Sequence, residues 1–304
     1  MKLLITGCGR IASNLAWHAE RQGHAATITY RTNEPNIAGV TAVKCDIRNL
    51  QDTTRIIEAI NPDIIIHSAA LTNHNLCETD NELAHHVNVA GTKNLVRGAL
   101  ASSAGFIFLS TDNVFNGKRG CYKESDIPDP LCYFAKTKLE AEREIAVSGL
   151  LRHAIVRTGP VYGWCRLSFS WNAESPLESL IRAGKNSEKI VLFEDEVRSM
   201  ILIDSLSASL LRIAGQMESA RVFSSMYHIG GEAVNRYEFG IRVAKHFGID
   251  RELIRRGTID ADWRGLAQRP KNCSLDTSFA IESGVLENQD DLLNLDNLSS
   301  RDFF

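Results

Sequence analysis

No basic excess, no long apolar run and no paired cysteines mark this sequence. Lys and Arg number 34 against 37 Asp and Glu, a net charge of −3. Without a basic footprint, nucleic acid is not an expected partner. The apolar runs MKLLIT, DIIIHSAAL and GFIFLS are strand-sized, far short of the ~20 residues that cross a bilayer. The N-terminal MKLLITGCGR meets glycine too early for a signal-peptide core, so no leader and no membrane association are expected. The seven cysteines form no Cys-x-x-Cys pair, which argues against a zinc ribbon or a disulfide framework and for a reducing, cytoplasmic setting. No Gly-x-Ser-x-Gly elbow suggests a serine hydrolase. Low-complexity segments and internal repeats are absent too, and 304 residues suffice for about two domains.

What is present is alternation. Strand-like runs at Lys2–Thr6, Ala26–Arg31, Thr41–Lys44, Asp63–His67, Gly105–Ser110 and His153–Thr158 are separated by helical patterns. Those patterns cover Ile11–Gln22, Leu50–Ile60, Glu78–Ala101 and Tyr133–Ser148, with apolar residues recurring at three and four. Short, nearly continuous apolar strands between helices predict an α/β fold, a doubly wound parallel sheet of Rossmann type. Ligands bind such sheets at the carboxyl edge. Further on, a strand is expected at Ile190–Phe193, a helix at Asp204–Gly215, a strand at Met226–Ile229 and a helix at Tyr237–Phe247. Gly248 to Asp276 is expected to be mostly loop. Residues 1–160 with 203–230 form the expected dinucleotide-binding domain, and 161–202 with 231–285 a smaller C-terminal substrate lobe. The acidic tail 286–304 is expected to pack only marginally.

The first strand runs into Gly7-Cys8-Gly9-Arg10-Ile11-Ala12. In this strand–turn–helix context Gly7 permits a tight turn and Gly9 lets backbone approach a pyrophosphate. Ala12 lets the helix pack closely. The helix N-terminus adds free N–H groups and the positive end of a dipole. The second strand ends at Arg31-Thr32-Asn33. A carboxylate there would favour NAD; a cation suits a 2′-phosphate, so NADPH is expected over NADH.

Several segments together resemble the extended short-chain dehydrogenase/reductases. The nearest branch is that of dTDP-4-dehydrorhamnose reductase and its relatives, which include regulatory β subunits of methionine adenosyltransferase. The segments are CDI at 45–47, PDIIIHSAALT at 62–72, VNVAGTKNL at 87–95, STDNVFNG at 110–117, YKESDIPDPL at 122–131, KTKLEAE at 136–142, VRTGPVYG at 156–163, YHIGGEAVNRYEF at 227–239 and RPKNCSLDT at 269–277. The resemblance implies an NADPH-dependent reductase of a 4-keto nucleotide sugar or related ketone. It implies that Asp46 and Ile47 flank the adenine and that Ala69, Ala70 and Leu71 line the cofactor, along with Gly7, Gly9, Arg10, Ile11 and Arg31. It implies that Ser110 or Thr111 polarises the substrate carbonyl and that Lys138 holds the nicotinamide ribose. Asn113, Pro160 and Arg269 fall at substrate positions, Arg269 suited to a diphosphate. Many relatives are dimers through the long helices, so a homodimer is an expectation here.

Reduction of a ketone leaves an alkoxide that needs a proton. The family's tyrosine lies four residues before the lysine, one helical turn away. Here Phe134 holds that place and Tyr133 lies five before Lys138, rotated by ~100°. Three readings stand open. Tyr133 swings in from the helix start; or another donor (Thr111, Cys132, His85 or His86) substitutes; or the chain binds ligands without turnover and regulates another enzyme. A non-redox epimerase or dehydratase on the same scaffold is a further alternative. Relatives often carry tyrosine where Asn113 stands and tryptophan where Pro160 stands, which leaves the sugar open. No metal site is expected: His67, His74, His85 and His86 lack convergent partners in the pattern.

Overall fold

The computed structural model describes residues 1–166 and 175–287, together with Leu295 and Leu298. The chain begins with β1 (Lys2–Thr6), α1 (Arg10–Arg21), β2 (Ala25–Tyr30), β3 (Thr41–Lys44), α2 (Leu50–Ile60) and β4 (Ile64–His67). Next come α3 (His74–Thr79), α4 (Asn81–His85), α5 (Gly91–Ser102), β5 (Gly105–Thr111), α6 (Tyr133–Ala146) and β6 (Arg152–Thr158). Then follow β7 (Val161–Tyr162), α7 (Pro176–Lys185), β8 (Ile190–Phe193), β9 (Val197–Ser199), β10 (Ile201–Leu202), α8 (Ile203–Glu218) and β11 (Phe223–Ile229). The last elements are β12 (Ala233–Asn235), α9 (Arg236–Phe247), β13 (Ile254–Gly257), α10 (Ile259–Asp262) and α11 (Ser278–Glu282).

Seven strands pair in the order β11-β6-β5-β4-β1-β2-β3, every pair parallel. The chain moves one way from β1 through β2 to β3, then returns to β4 on the other side of β1. That reversal is the switch point at which a doubly wound sheet opens a crevice at its carboxyl edge. The central strands are fully buried, which is why β4 and β5 read as unbroken apolar runs. One face of the sheet packs Leu15, Ala16 and Ala19 of α1 and Leu206, Leu210 and Ile213 of α8. The other packs Ile56 and Ile57 of α2, Leu95 and Ala99 of α5, and Ala141 and Ile145 of α6. This is a Rossmann-like sheet covered on both sides.

A separate apolar cluster joins Tyr162, Leu177, Leu180, Met200, Phe239, Val243 and Ile254. α7 enters it through a capping box: Ser175 accepts from the N–H of Glu178, the Glu178 carboxylate accepts from the N–H of Ser175, and Pro176 opens the helix.

Five expectations are corrected by the structure. The single helix expected at Glu78–Ala101 is broken. Asp80 leaves helical geometry and caps α4 through Leu83 N–H, and residues His86–Ala90 form one π-turn before α5. The loop expected over Gly248–Asp276 contains β13, paired with β8, and α10. Too few residues of β13 are buried for a pattern to show. The stretch 278–285, expected in the lobe, packs on the main sheet together with Leu286, expected in the tail. There Phe279 stacks on Tyr227 of β11, and Val285 and Leu286 enter the main core. The strand expected at Met226–Ile229 begins at Phe223. In the tail Leu295 and Leu298 are buried in the lobe's core, and the rest of 288–304 lies outside the described residues.

Candidate active site

A cleft of about 790 Å³ lies where β1, β4, β5 and β6 end. It is bordered on one side by the glycine turn and on the other by residues of the lobe. Gly7 sits at φ +86°, and a Cβ there would lie 3.1 Å from Ala69 Cα, so the turn has no room for a side chain. Its N–H donates to Thr29 Oγ1 at 2.8 Å. Gly9 caps α1 without a side-chain acceptor, and a Cβ built on it meets nothing within 4 Å. The first N–H groups of α1 thus face open space beside backbone stripped of side chains, which fits a dinucleotide pyrophosphate.

Gly7, Gly9, Arg10, Ile11, Arg31, Asp46, Ile47, Ala69, Ala70 and Leu71 all border this cleft, as expected from their positions in the chain. Two of them are already committed. The Arg10 guanidinium holds Glu178 through both nitrogens, at 2.8 and 2.5 Å, and donates to Gly163 O. It ties the start of α1 to α7. Asp46 takes three hydrogen bonds from the Arg48 side chain, which together hold its carboxyl below the usual range. Arg31 is exposed and has no hydrogen-bond or ion-pair partner among the described residues. Leu71 is fixed by Asn88, in the π-turn. The Asn88 amide accepts from Leu71 N–H, donates to Leu71 O and donates to Thr137 Oγ1 of α6.

At the end of β5 two hydroxyls have different fates. Ser110 donates to Glu142 of α6, which also receives Arg157 of β6 at 3.0 and 2.6 Å. Thr111 accepts from the backbone N–H and side-chain amide of Asn113, at 3.2 and 3.1 Å, and donates to Asp112 Oδ1 at 3.2 Å. Thr111, Asn113, Pro160 and Arg269 all border the cleft. Tyr133 and Lys138 are not among the residues that border it. Tyr133 is half-buried on the apolar cluster of Cys77, Ala84, Cys132, Phe134, Ala135 and Ala267, with its N–H on Glu78. Phe134 borders the cleft instead, stacked on His74 at 4.6 Å. Lys138 is buried with Nζ 3.9 Å above the Phe108 ring, and burial pulls its ammonium down to about 7 against the pull of Glu142. Among the described residues lining the cleft, the one phenol is Tyr30, at the end of β2.

Sequence reasoning missed a charged cluster on the lobe side. Glu196, almost fully buried, accepts from Arg269 at 2.7 and 2.8 Å. Arg198 and Arg236 approach the same carboxylate at 3.5 and 3.4 Å. Burial pushes the Glu196 carboxyl up, but Arg236, Arg198 and Arg269 together hold it down at about 2. Arg198 Nε also lies 3.4 Å from Asp112 Oδ2. Burial raises the Asp112 carboxyl to about 6 despite Arg198, the Thr111 hydroxyl and Arg236. His74, beside the cluster, is lowered to about 4, by burial first and then by Arg269 and Arg198. All six of these side chains border the cleft, and three arginines against two carboxylates leave one positive charge in excess. No local pattern announced them, because they come from five separated stretches. Among the described residues no group of His, Cys, Asp or Glu is placed to hold a metal ion.

Comparison with known proteins agrees with this geometry. The sequence pattern of the family described as RmlD substrate binding domain matches residues 1–291. A dTDP-4-dehydrorhamnose reductase of Aggregatibacter actinomycetemcomitans is 29% identical over 90% of this chain and 90% of its own. The methionine adenosyltransferase 2 subunit beta of Rattus norvegicus is 26% identical over 93% of this chain and 83% of its own. Among solved structures, a dTDP-4-dehydrorhamnose reductase from Bacillus anthracis in complex with NADP superposes with a TM-score of 0.79. It is 22% identical, with 93% of this chain and 94% of that one covered, a likeness of fold.

Proposed function

The chain belongs to the RmlD substrate binding domain family, and on that premise we propose that it is an NADPH-dependent reductase of a 4-keto nucleotide sugar or a closely related ketone. The observation that carries this reading is the continuity of the cleft. It runs from the glycine turn past Thr111 to an arginine cluster with spare positive charge. Gly7, Gly9 and the start of α1 would hold the pyrophosphate, with Ala69 to Leu71 along the nicotinamide half. Arg31, without a hydrogen-bond or ion-pair partner among the described residues, suits a 2′-phosphate, which supports NADPH over NADH. When bound there, the cofactor supplies hydride to a ketone. Thr111 presents its hydroxyl to the carbonyl oxygen, where a donor stabilises developing negative charge. Arg269, with Arg198 and Arg236 behind it, is placed for the substrate's anionic groups; planar guanidinium forks suit a diphosphate.

Fluorescence titration with NADPH and NADH, followed by NADPH oxidation with a panel of keto nucleotide sugars, tests the reading. Micromolar NADPH affinity, weaker NADH binding and turnover of at least one keto sugar are expected. Failure to bind either dinucleotide overturns it.

A second reading has its own observation. Phe134, which cannot donate a proton, borders the cleft where the family's tyrosine is expected. A subunit that binds NADPH without turnover and regulates another enzyme would look the same. NADPH binding with no oxidation by any ketone, and co-purification with an enzyme partner, would favour it. Pairing into a homodimer through α5 and α6 belongs to the proposal too, and sedimentation at twice 33.7 kDa would support it. All seven cysteines are free, as a cytoplasmic setting would leave them. Among the described residues no helix is long and apolar enough to cross a membrane.

A further inference from the structure

We propose that Asp112 stores the proton that the substrate's carbonyl oxygen takes up, and that Thr111 delivers it. The proposal rests on the reductase reading and deepens it: it supplies the acid that Phe134 cannot.

Four observations carry it. Asp112 and Thr111 both border the cleft, next to each other at the end of β5. Their side chains are in contact, Thr111 Oγ1 to Asp112 Oδ1 at 3.2 Å. Asp112 is almost fully buried, and its Oδ2 has no hydrogen-bond partner among the described residues, only the Arg198 Nε at 3.4 Å. Tyr133, by contrast, does not border the cleft. A buried carboxyl with one oxygen short of hydrogen bonds is costly as a carboxylate and comfortable as an acid. The groups facing it are Arg198 of β9, Arg236 of α9, Glu196 just before β9, the buried thiol of Cys273 and the Thr111 hydroxyl. Glu196 spends its charge on the three arginines, which weakens their stabilisation of the ionised Asp112 carboxylate. Burial prevails, and the carboxyl sits near 6, where it can give and regain a proton at physiological pH.

The step balances as follows. Hydride from NADPH forms a C–H bond at the carbonyl carbon, which is reduced while the nicotinamide is oxidised. The carbonyl π pair moves to oxygen and takes the Thr111 hydroxyl proton. The Thr111 Oγ1–H bond breaks as Oγ1 accepts the proton of neutral Asp112, at the acceptor position that the Asn113 amide otherwise fills. The resulting carboxylate lies 3.4 Å from Arg198 Nε, and water in the cleft returns the proton. The sum is ketone, NADPH and one proton giving alcohol and NADP.

Two measurements test this. In unliganded protein labelled with carboxyl-13C aspartate, one resonance absent from Asp112→Asn should titrate near 6. That readout needs no turnover. In steady-state assays Asp112→Asn should lose about 100-fold or more in kcat, with NADPH affinity unchanged within about twofold. The fall in kcat above about pH 6, where the acid form disappears, should vanish in that variant. Thr111→Val should lower kcat while the Asp112 resonance still titrates. A carboxyl that titrates near 4 overturns the proposal, as does Asp112→Asn turnover that keeps the wild-type pH limb. If wild-type protein binds NADPH yet reduces no ketone, the reductase reading itself falls and the role of Asp112 falls with it.

Discussion

At the scale of single residues, side-chain direction separates Tyr133 from Phe134. They are neighbours on the first turn of α6, and a helix turns ~100° per residue. Phe134 borders the cleft; Tyr133 does not, and packs half-buried on the cluster that holds Cys77, Cys132 and Phe134. Tyr133→Phe should therefore leave kcat within about twofold of wild type. Phe134→Tyr places a phenol on the cleft one turn before Lys138, whose ammonium is poised near 7 by burial. An added general acid should raise kcat by about 10- to 100-fold, and unchanged kcat in a folded variant would contradict that placement. Arg31 lies at the other end of the cleft, where its charge also reaches Asp46. Arg31→Ala should weaken NADPH about tenfold, the size of one charge-assisted contact near solvent, and leave NADH binding unaltered. Equal losses for both dinucleotides would show that Arg31 does not meet the 2′-phosphate.

At the scale of elements, the carboxyl edge of the sheet is pinned by one buried ion pair. Glu142 on α6 binds Arg157 of β6 and Ser110 of β5, so three elements meet at a single carboxylate. Removing one member of a buried pair strands the other charge. Glu142→Ala should cost about 3–5 kcal/mol in chemical denaturation, with a further loss of NADPH affinity because Thr111 and the end of β5 would shift. A loss under ~1 kcal/mol would mean that Arg157 finds water or another acceptor. α3, α4 and the π-turn show the limit of periodicity. The apolar spacing of 78–101 is continuous, yet the chain breaks at Asp80 because its side chain caps the next helix. The π-turn then places Asn88 between Leu71 and Thr137. Helical periodicity records which residues face inward, and neither break disturbs it.

At the scale of the molecule, buried neutral histidines set the response to acid. His74 and His228 are lowered to about 4, in each case by burial first, and His67 lies well below its ordinary value for the same reason. The unfolded chain binds these protons near 6.5 and the folded chain does not. Stability is therefore full above about pH 6.5 and falls as the pH drops toward 4. Each histidine at about 4 is worth on the order of 3 kcal/mol over that window. Asp112 opposes them: raised to about 6, it favours the folded state as pH falls through that value, by a similar amount. Three histidines outweigh one aspartate. Urea midpoints measured from pH 7 to 4 should decline, and His228→Gln should flatten the slope if it folds. A midpoint that rises toward pH 4 would contradict the burial of these rings.

The parallel sheet, the bounds of β1, β3 and α2, the glycine turn and the cation after β2 were legible along the chain. Each is written locally, as burial on both strand faces, as amphipathic spacing, or as a backbone that only glycine can adopt. The other half of the site exists only once the chain has folded. Asp112, Glu196, Arg198, Arg236 and Arg269 meet from β5, the approach to β9, the start of α9 and the segment after α10. No periodicity marks residues that converge across more than 150 positions, because the energy joining them is electrostatic and depends on distances set by the fold. The same holds for β13 and for Leu295 and Leu298, whose burial comes from the lobe that surrounds them and not from any pattern of their own.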